Sequence, residues 1–219
     1  IMYVRYLRAP SVYRMSFTKL IPEENLLLIQ FRNSPIYFKH SRNFKSVAKF
    51  TPRNNFVDVA GISYISSARA VALALGTSIQ VISLKNRAFL SQLELNINRP
   101  YLLPYYLLYS PEDDLMITST GYYELSLFKY NKITHEVKLV EKVALKGKHP
   151  QYFVRWNKNQ IIIATREPFL ETYNIEQKKL SKLDIGSEDA ISTCSVLKEN
   201  SSLWIGYFRK GKISYLSFR

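Results

Sequence analysis

The sequence predicts an all-β chain of repeated four-stranded antiparallel units, and three observations predict it. First, five apolar stretches recur about every 44 residues: Leu26 to Phe31, Val71 to Leu75, Leu115 to Thr120, Ile161 to Thr165 and Leu203 to Tyr207. Their first residues lie 45, 44, 46 and 42 positions apart. Second, each period divides into short apolar runs bounded by Pro, Asn and Ser, the pattern of strands joined by tight turns. Third, the runs differ by position. The second of each set is nearly all apolar, as a strand covered on both faces reads. The fourth alternates, as in Phe89 to Leu95, where one side meets water. A fixed period of this size marks a β-propeller or a similar array. The gradient from inner to outer strand is what one propeller blade requires.

The strands follow in order. The first set is Met15 to Ile21, Leu26 to Phe31, Ile36 to Lys39 and Phe44 to Phe50. The second is Gly61 to Ser66, Val71 to Leu75, Ile79 to Leu84 and Ala88 to Leu95. The third is Tyr105 to Ser110, Leu115 to Thr120, Leu125 to Tyr130 and Val137 to Leu145. The fourth is Gln151 to Trp156, Ile161 to Arg166, Leu170 to Ile175 and Leu180 to Ile185. The fifth is Ile191 to Leu197, Ser202 to Phe208 and Ile213 to Phe218, one strand short. The expected organisation is a single domain over residues 1–219, with blades at about 14–50, 57–95, 103–145, 150–185 and 190–219 plus 2–8. Met2 to Leu7 is the candidate missing strand. Pairing beside Ile213 to Phe218 would close the ring and remove open edges. The alternative is a larger ring or chain, with further blades outside this sequence.

Composition bounds the function. At 219 residues and 47% hydrophobic the chain can bury a core. No apolar run approaches the ~20 residues needed to cross a bilayer. Ile1 to Pro10 lacks the ordered parts of a secretory signal. The single cysteine, Cys194, cannot form an internal disulfide and is expected to be a small buried hydrophobe. An intracellular location, cytoplasmic or nuclear, is therefore expected. The formal net charge is +14, from 31 Lys and Arg against 17 Asp and Glu. That excess favours an acidic partner: an acidic protein, nucleic acid or an anionic phospholipid surface.

The third period, Tyr109-Ser110-Pro111-Glu112-Asp113-Asp114-Leu115-Met116-Ile117-Thr118-Ser119, resembles the WD40-repeat signature. In that signature a strand ends in Ser-Pro, turns through Asp-rich residues and enters an apolar strand. Gly147-Lys148-His149-Pro150 is similar to the Gly-His element before the first strand of such a blade. The family's Trp-Asp dipeptide would fall at Phe38-Lys39, Ile82-Ser83, Phe128-Lys129, Tyr173-Asn174 and Leu216-Ser217, and stands at none of them. The apolar, packing half of the slot is kept, and the Asp is lost. The resemblance implies a WD40-like propeller with degenerate repeats.

Candidate chemistry is sparse. His40, His135 and His149 lie in or beside connections of different periods, without metal-ligand spacing. His40 and His135 read as solvated turn residues, and His149 as part of the Gly-His element. No nucleophile elbow or phosphate loop is present in the sequence. Glu23-Glu24 and Glu112-Asp113-Asp114 read as solvated turns, and Glu188-Asp189 stands by itself before a first strand. Phe208-Arg209-Lys210-Gly211 is similar to the Phe-Arg-Arg-Gly motif of phosphoinositide-binding propellers. It differs in place, since that motif follows an outer strand.

The basic residues carry more as a set. Connections on one face would gather Arg32, Lys49, Arg53, Arg99, Lys146, Lys148, Arg166, Arg209, Lys210 and Lys212. Asp58, Glu124, Glu167, Glu188 and Asp189 oppose them, at half the number. Connections on the other face mix Lys and Arg, including Lys178, Lys179 and Lys182, with the acidic turns. The candidate partner-binding residues are Lys146, Lys148, Arg166, Arg209, Lys210 and Lys212, with Tyr122, Tyr123 and Phe169 as aromatic contacts. The function expected from this pattern is a non-enzymatic scaffold for protein–protein interaction, using no cofactor and no metal. Two alternatives stand beside it: direct binding of RNA, DNA or anionic lipid by the basic face, and a hydrolase with its site in the channel.

Overall fold

The computed structural model describes residues 15–31, 34–52, 59–95, 106–121, 123–150, 152–186, 191–197, 202–207 and 213–217. Two compact units divide the chain, Ile1–Val59 and Ala60–Arg219. The first holds one antiparallel sheet of β1 (Met15–Ile21), β2 (Leu26–Phe31), β3 (Ile36–His40) and β4 (Ser46–Phe50), paired in chain order. A short 3₁₀ turn over Pro22–Glu24 joins β1 to β2, and Asn25 ends it in the left-handed region at φ 51°. Asn tolerates that conformation better than most residues. Gln30 is the polar residue in the buried centre of β2. Its Oε1 accepts the Val59 N–H at 2.8 Å and its Nε2 donates to the Ser34 carbonyl at 3.0 Å, so its burial is compensated. The fourth strand starts at Ser46, not at Phe44 as expected. Phe44 sits at φ 58° and donates its N–H to the His40 carbonyl, so the turn consumes it.

From β5 onward lie three more four-stranded sheets and one of three strands. Strands β5 (Val59–Ile65), β6 (Ala70–Leu75), β7 (Ser78–Ser83) and β8 (Phe89–Glu94) form the second blade. The third is β9 (Leu107–Ser110), β10 (Leu115–Gly121), β11 (Glu124–Tyr130) and β12 (Val137–Ala144). The fourth is β13 (Tyr152–Asn157), β14 (Gln160–Ala164), β15 (Phe169–Asn174) and β16 (Lys179–Asp184). Strands β17 (Ile191–Leu197), β18 (Ser202–Tyr207) and β19 (Ile213–Ser217) form the last sheet. The expected closing strand, Met2 to Leu7, lies outside the described residues. Cys194 falls in β17 as expected, in register with Ile205.

The reason for the all-apolar second strands is now visible. Successive side chains of a strand point to opposite faces. On β10, Met116 packs in a cluster with Ala72, Ile79 and Val81 of the second blade. Its neighbours Leu115 and Ile117 pack in another, with Phe153, Ile161 and Ile163 of the fourth. On β14 the division repeats: Ile161 and Ile163 face that seam, and Ile162 and Ala164 join Ile191, Leu203 and Ile205 of the fifth. Each Leu, Ile, Val, Met or Phe side chain so removed from water contributes about 1.5–3 kcal/mol. The outer strands β4 and β16 hold no fully buried residue, in keeping with the predicted gradient.

One close approach fixes the seam between the second and third blades. A Cβ on Gly61 of β5 would lie 2.6 Å from the Leu107 nitrogen and 2.8 Å from the Tyr106 carbonyl carbon, so backbone meets backbone there. The same seam is clasped by polar groups. The Tyr109 N–H donates to Ser63 Oγ at 2.9 Å, and its hydroxyl donates to Asp114 Oδ1 at 2.5 Å, with Ser67 Oγ 3.3 Å away. Lys132 Nζ pairs with the same Asp114 oxygen at 2.9 Å. At the next seam Asp113 accepts from Arg155 of β13 at 2.8 Å.

These contacts correct two readings of the sequence. Asp113 and Asp114 are not solvated turn residues, because each carboxylate is engaged across or beside a seam. Nor is His135 a free turn residue: it is half-buried, its Nδ1 lies 2.7 Å from the Tyr130 hydroxyl, and its carbonyl accepts from Ser91 of β8. Burial, followed by the Asp114 charge, pushes Tyr130 up to about 12. Burial also works against the Asp114 charge, yet the Tyr109 hydroxyl and the Lys132 ammonium outweigh it and hold that carboxyl below its ordinary value.

Two outcomes follow. Gly61→Ala should lower stability by about 1–3 kcal/mol, because the added methyl must push backbone apart, measured as a urea midpoint. Asp114 has a depressed folded value, so its stabilisation is present above the ordinary carboxylate range and lost as pH falls through the folded value. Asp114→Asn should therefore be less stable at neutral pH and lose less stability on acidification, read from thermal melts across pH.

Candidate functional site

The connection leaving β12 is held by a carboxylate from the neighbouring blade. Glu171 lies in β15, in register with Ile163 and Lys182, and is fully buried. Its Oε1 accepts the Lys146 N–H at 2.8 Å and its Oε2 accepts the Gly147 N–H at 3.1 Å. Burying a charge is costly unless it is hydrogen-bonded, and the two amides supply that bonding. Gly147 rests against buried Thr165, where a Cβ would lie 2.3 Å from Oγ1. His149 takes φ 51°, and the Arg166 N–H donates to the Lys148 carbonyl at 2.9 Å. The Leu145 N–H donates to the Tyr123 carbonyl at 2.7 Å.

These bonds bring several predicted residues to one end of the third and fourth blades. Tyr123 comes from the β10–β11 turn, Lys146 and Lys148 from the β12–β13 connection, and Arg166 and Phe169 from the β14–β15 turn and the strand it opens. Lys146, Lys148 and Arg166 are exposed, and so is Tyr123. His149 is held below its ordinary value by burial first, then by the Arg166 and Lys148 charges. Of the opposing acids, Glu124 is occupied by Lys142 at 2.9 Å and by the Thr120 hydroxyl at 2.6 Å.

Other predicted residues fall differently. The ring of Phe169 carries Lys182 Nζ 4.5 Å from its centroid, so a cation already covers one face. Lys182 lies within β16 and not in the connection before it. Tyr122, Arg209, Lys210 and Lys212 lie outside the described residues, as do Arg32, Arg53, Arg99, Asp58, Glu188 and Asp189. Among the described residues, no group of three His, Cys, Asp or Glu is placed to hold a metal, and no helix is long and apolar enough to cross a membrane. Sequence reasoning missed Glu171. Its signal was a lone carboxylate within the third strand of its set, between Leu170 and Thr172.

No family model matches the sequence, and no curated protein does. Solved structures do match, and 1579 chains among them do so, which marks a common scaffold and not a particular role. One is the crystal structure of the Cps50 (Swd1) beta-propeller domain of Myceliophteria thermophila. It superposes with a TM-score of 0.75 over 89% of this chain and 67% of that chain, at 9% identity. The fold is thus a WD40-like β-propeller of four-stranded antiparallel blades.

Glu171→Gln keeps the size of the anchor but turns one acceptor into a donor facing an N–H. It should cost about 1–3 kcal/mol and speed hydrogen exchange at the Lys146 and Gly147 amides. Unchanged exchange at both amides would remove Glu171 from this role.

Proposed function

We propose that this WD40-like β-propeller is a non-enzymatic binding platform within a larger intracellular assembly, and that its basic loop engages an acidic protein partner. The observation that carries the reading is the loop itself. Lys146 and Lys148 stand exposed on a connection anchored by buried Glu171, and Arg166 stands exposed on the neighbouring β14–β15 turn, where its N–H donates to the Lys148 carbonyl. An anchored loop loses little freedom on binding, which favours affinity. Its charges steer an acidic partner, and Tyr123 offers an aromatic contact. The formal excess of 31 cations over 17 anions acts in the same direction.

A second reading uses the same observation: three cations beside an exposed tyrosine also suit the phosphates and bases of a single-stranded nucleic acid. Anionic lipid needs the cations alone.

The test is the triple variant Lys146→Glu, Lys148→Glu, Arg166→Glu, recovered from native cells with and without nuclease. The platform reading expects protein partners that survive nuclease with the native chain and are lost with the folded variant. It also expects a gentle response to salt. Recovery that needs RNA, with binding falling steeply between low and moderate salt, favours the second reading. Partners retained in full by the variant would sink the loop's role.

A further inference from the structure

Apolar exposure is concentrated in one hairpin. Of the five large hydrophobics that stand exposed among the described residues, four are Tyr123, Ile133, Leu139 and Val140, in the β11–β12 hairpin and its flanking turns. Scattered single residues of this kind need no explanation, but here Leu139 and Val140 adjoin on one strand with Ile133 in the turn before it, while Tyr123 lies beyond the other end of β11. Strand β12 is an outer strand. Among the described residues it pairs with β11, and no strand pairs with its other edge. It is eight residues long, so it runs for about 26 Å at ~3.3 Å per residue.

Edges of this kind usually carry a defence against pairing, such as a bulge or an inward charge. β12 has the bulge, where the register shifts between Leu127 and Phe128. The extra residue there is Val140, 58% exposed next to Leu139 at 49%. The bulge therefore brings out an apolar pair in place of a charge.

The turn before the strand is just as fixed. Asn131 Oδ1 accepts the N–H groups of Ile133 at 2.8 Å and Thr134 at 3.1 Å. His135 is tied to Tyr130 and Ser91, as above. Ile133 is thus held out at 90% exposure by a bonded turn. An apolar anchor displayed on ordered backbone loses little freedom when a partner covers it.

The charge around this strip indicates the partner. Lys132, Lys138 and Lys142 are paired with Asp114, Glu136 and Glu124, and in each pair the lysine is the more exposed member. Surface pairs of this kind are worth little, so a second carboxylate arriving from outside can share the lysine. The strip is therefore apolar along the edge with a cationic fringe.

We propose that the β12 edge, with Ile133, Leu139 and Val140 as anchors, binds an extended acidic segment of a protein partner. The segment lies along the free edge as an added strand, its apolar side chains on the anchors and its carboxylates on Lys138 and Lys142. This rests on the platform reading but uses other residues than Lys146, Lys148 and Arg166. Separate variants score the two surfaces, and either can fail alone.

The probe is a synthetic peptide of about ten alternating Glu and Val residues, titrated into the full chain and followed through backbone amide resonances. Saturable shifts confined to the β11–β12 hairpin are expected. Affinity should fall about tenfold or more in Leu139→Glu and in the double variant Lys138→Glu, Lys142→Glu, all exposed positions that leave the core intact. A Lys-Val peptide should leave the spectrum unchanged. Equal affinity in the variants, equal binding of the Lys-Val peptide, shifts elsewhere or no binding would each overturn the proposal. So would self-association of the free chain that Leu139→Glu abolishes, since the edge would then belong to a second copy.

Discussion

The second strand of a blade has no face left for water, and the rest of the second unit follows from that constraint. Alternate side chains of β10 and of β14 are claimed by different neighbours, one blade on each side. A slip of one residue would exchange the two sets and put each into the wrong seam. The blades are therefore not independent sheets laid side by side. Each supplies half of two cores, and the register of one strand sets both.

Polar groups refine what the apolar seams establish. The sequence lacks the Trp-Asp dipeptide of WD40 repeats, and with it the hydrogen bonding that the family places there. Different residues clasp these blades. Tyr109 joins Ser63 and Ser67 to Asp114, Asp113 reaches Arg155, and Glu171 reaches the backbone of the preceding connection. All of these except the Ser–Tyr contacts put a charge where burial would penalise it, and each charge has a partner. Burial weakens competition from water, so such bonds are stronger here than on an open surface.

Much of the architecture was legible because it rests on period. A strand buried on both faces must be apolar throughout, so the spacing of Leu26, Val71, Leu115, Ile161 and Leu203 carries the repeat without any family motif. Turn residues set most boundaries within one or two positions. Phe44 escaped because an aromatic side chain reads as strand while its backbone sits at φ 58°. The candidate site was legible only in part. Lys146, Lys148 and Arg166 could be grouped from connection order, but the carboxylate that anchors the Lys146–Lys148 connection is 25 residues from Lys146, and a contact of that separation leaves no local pattern. Asp113 and Asp114 looked solvated for the same reason. Their partners Arg155 and Lys132 belong to other turns and strands, and composition does not show which oppositely charged residues meet.

Glu171 grips the connection through main-chain amides and never touches the side chains of Lys146 or Lys148. The attachment is therefore indifferent to what those positions carry, apart from proline, which has no N–H to give. The loop can change its chemistry without renegotiating its anchor, while Gly147, pressed against Thr165, cannot. The displayed side chains and the mounting that holds them are thus separable. The same property makes this blade end a natural place to graft a foreign recognition sequence.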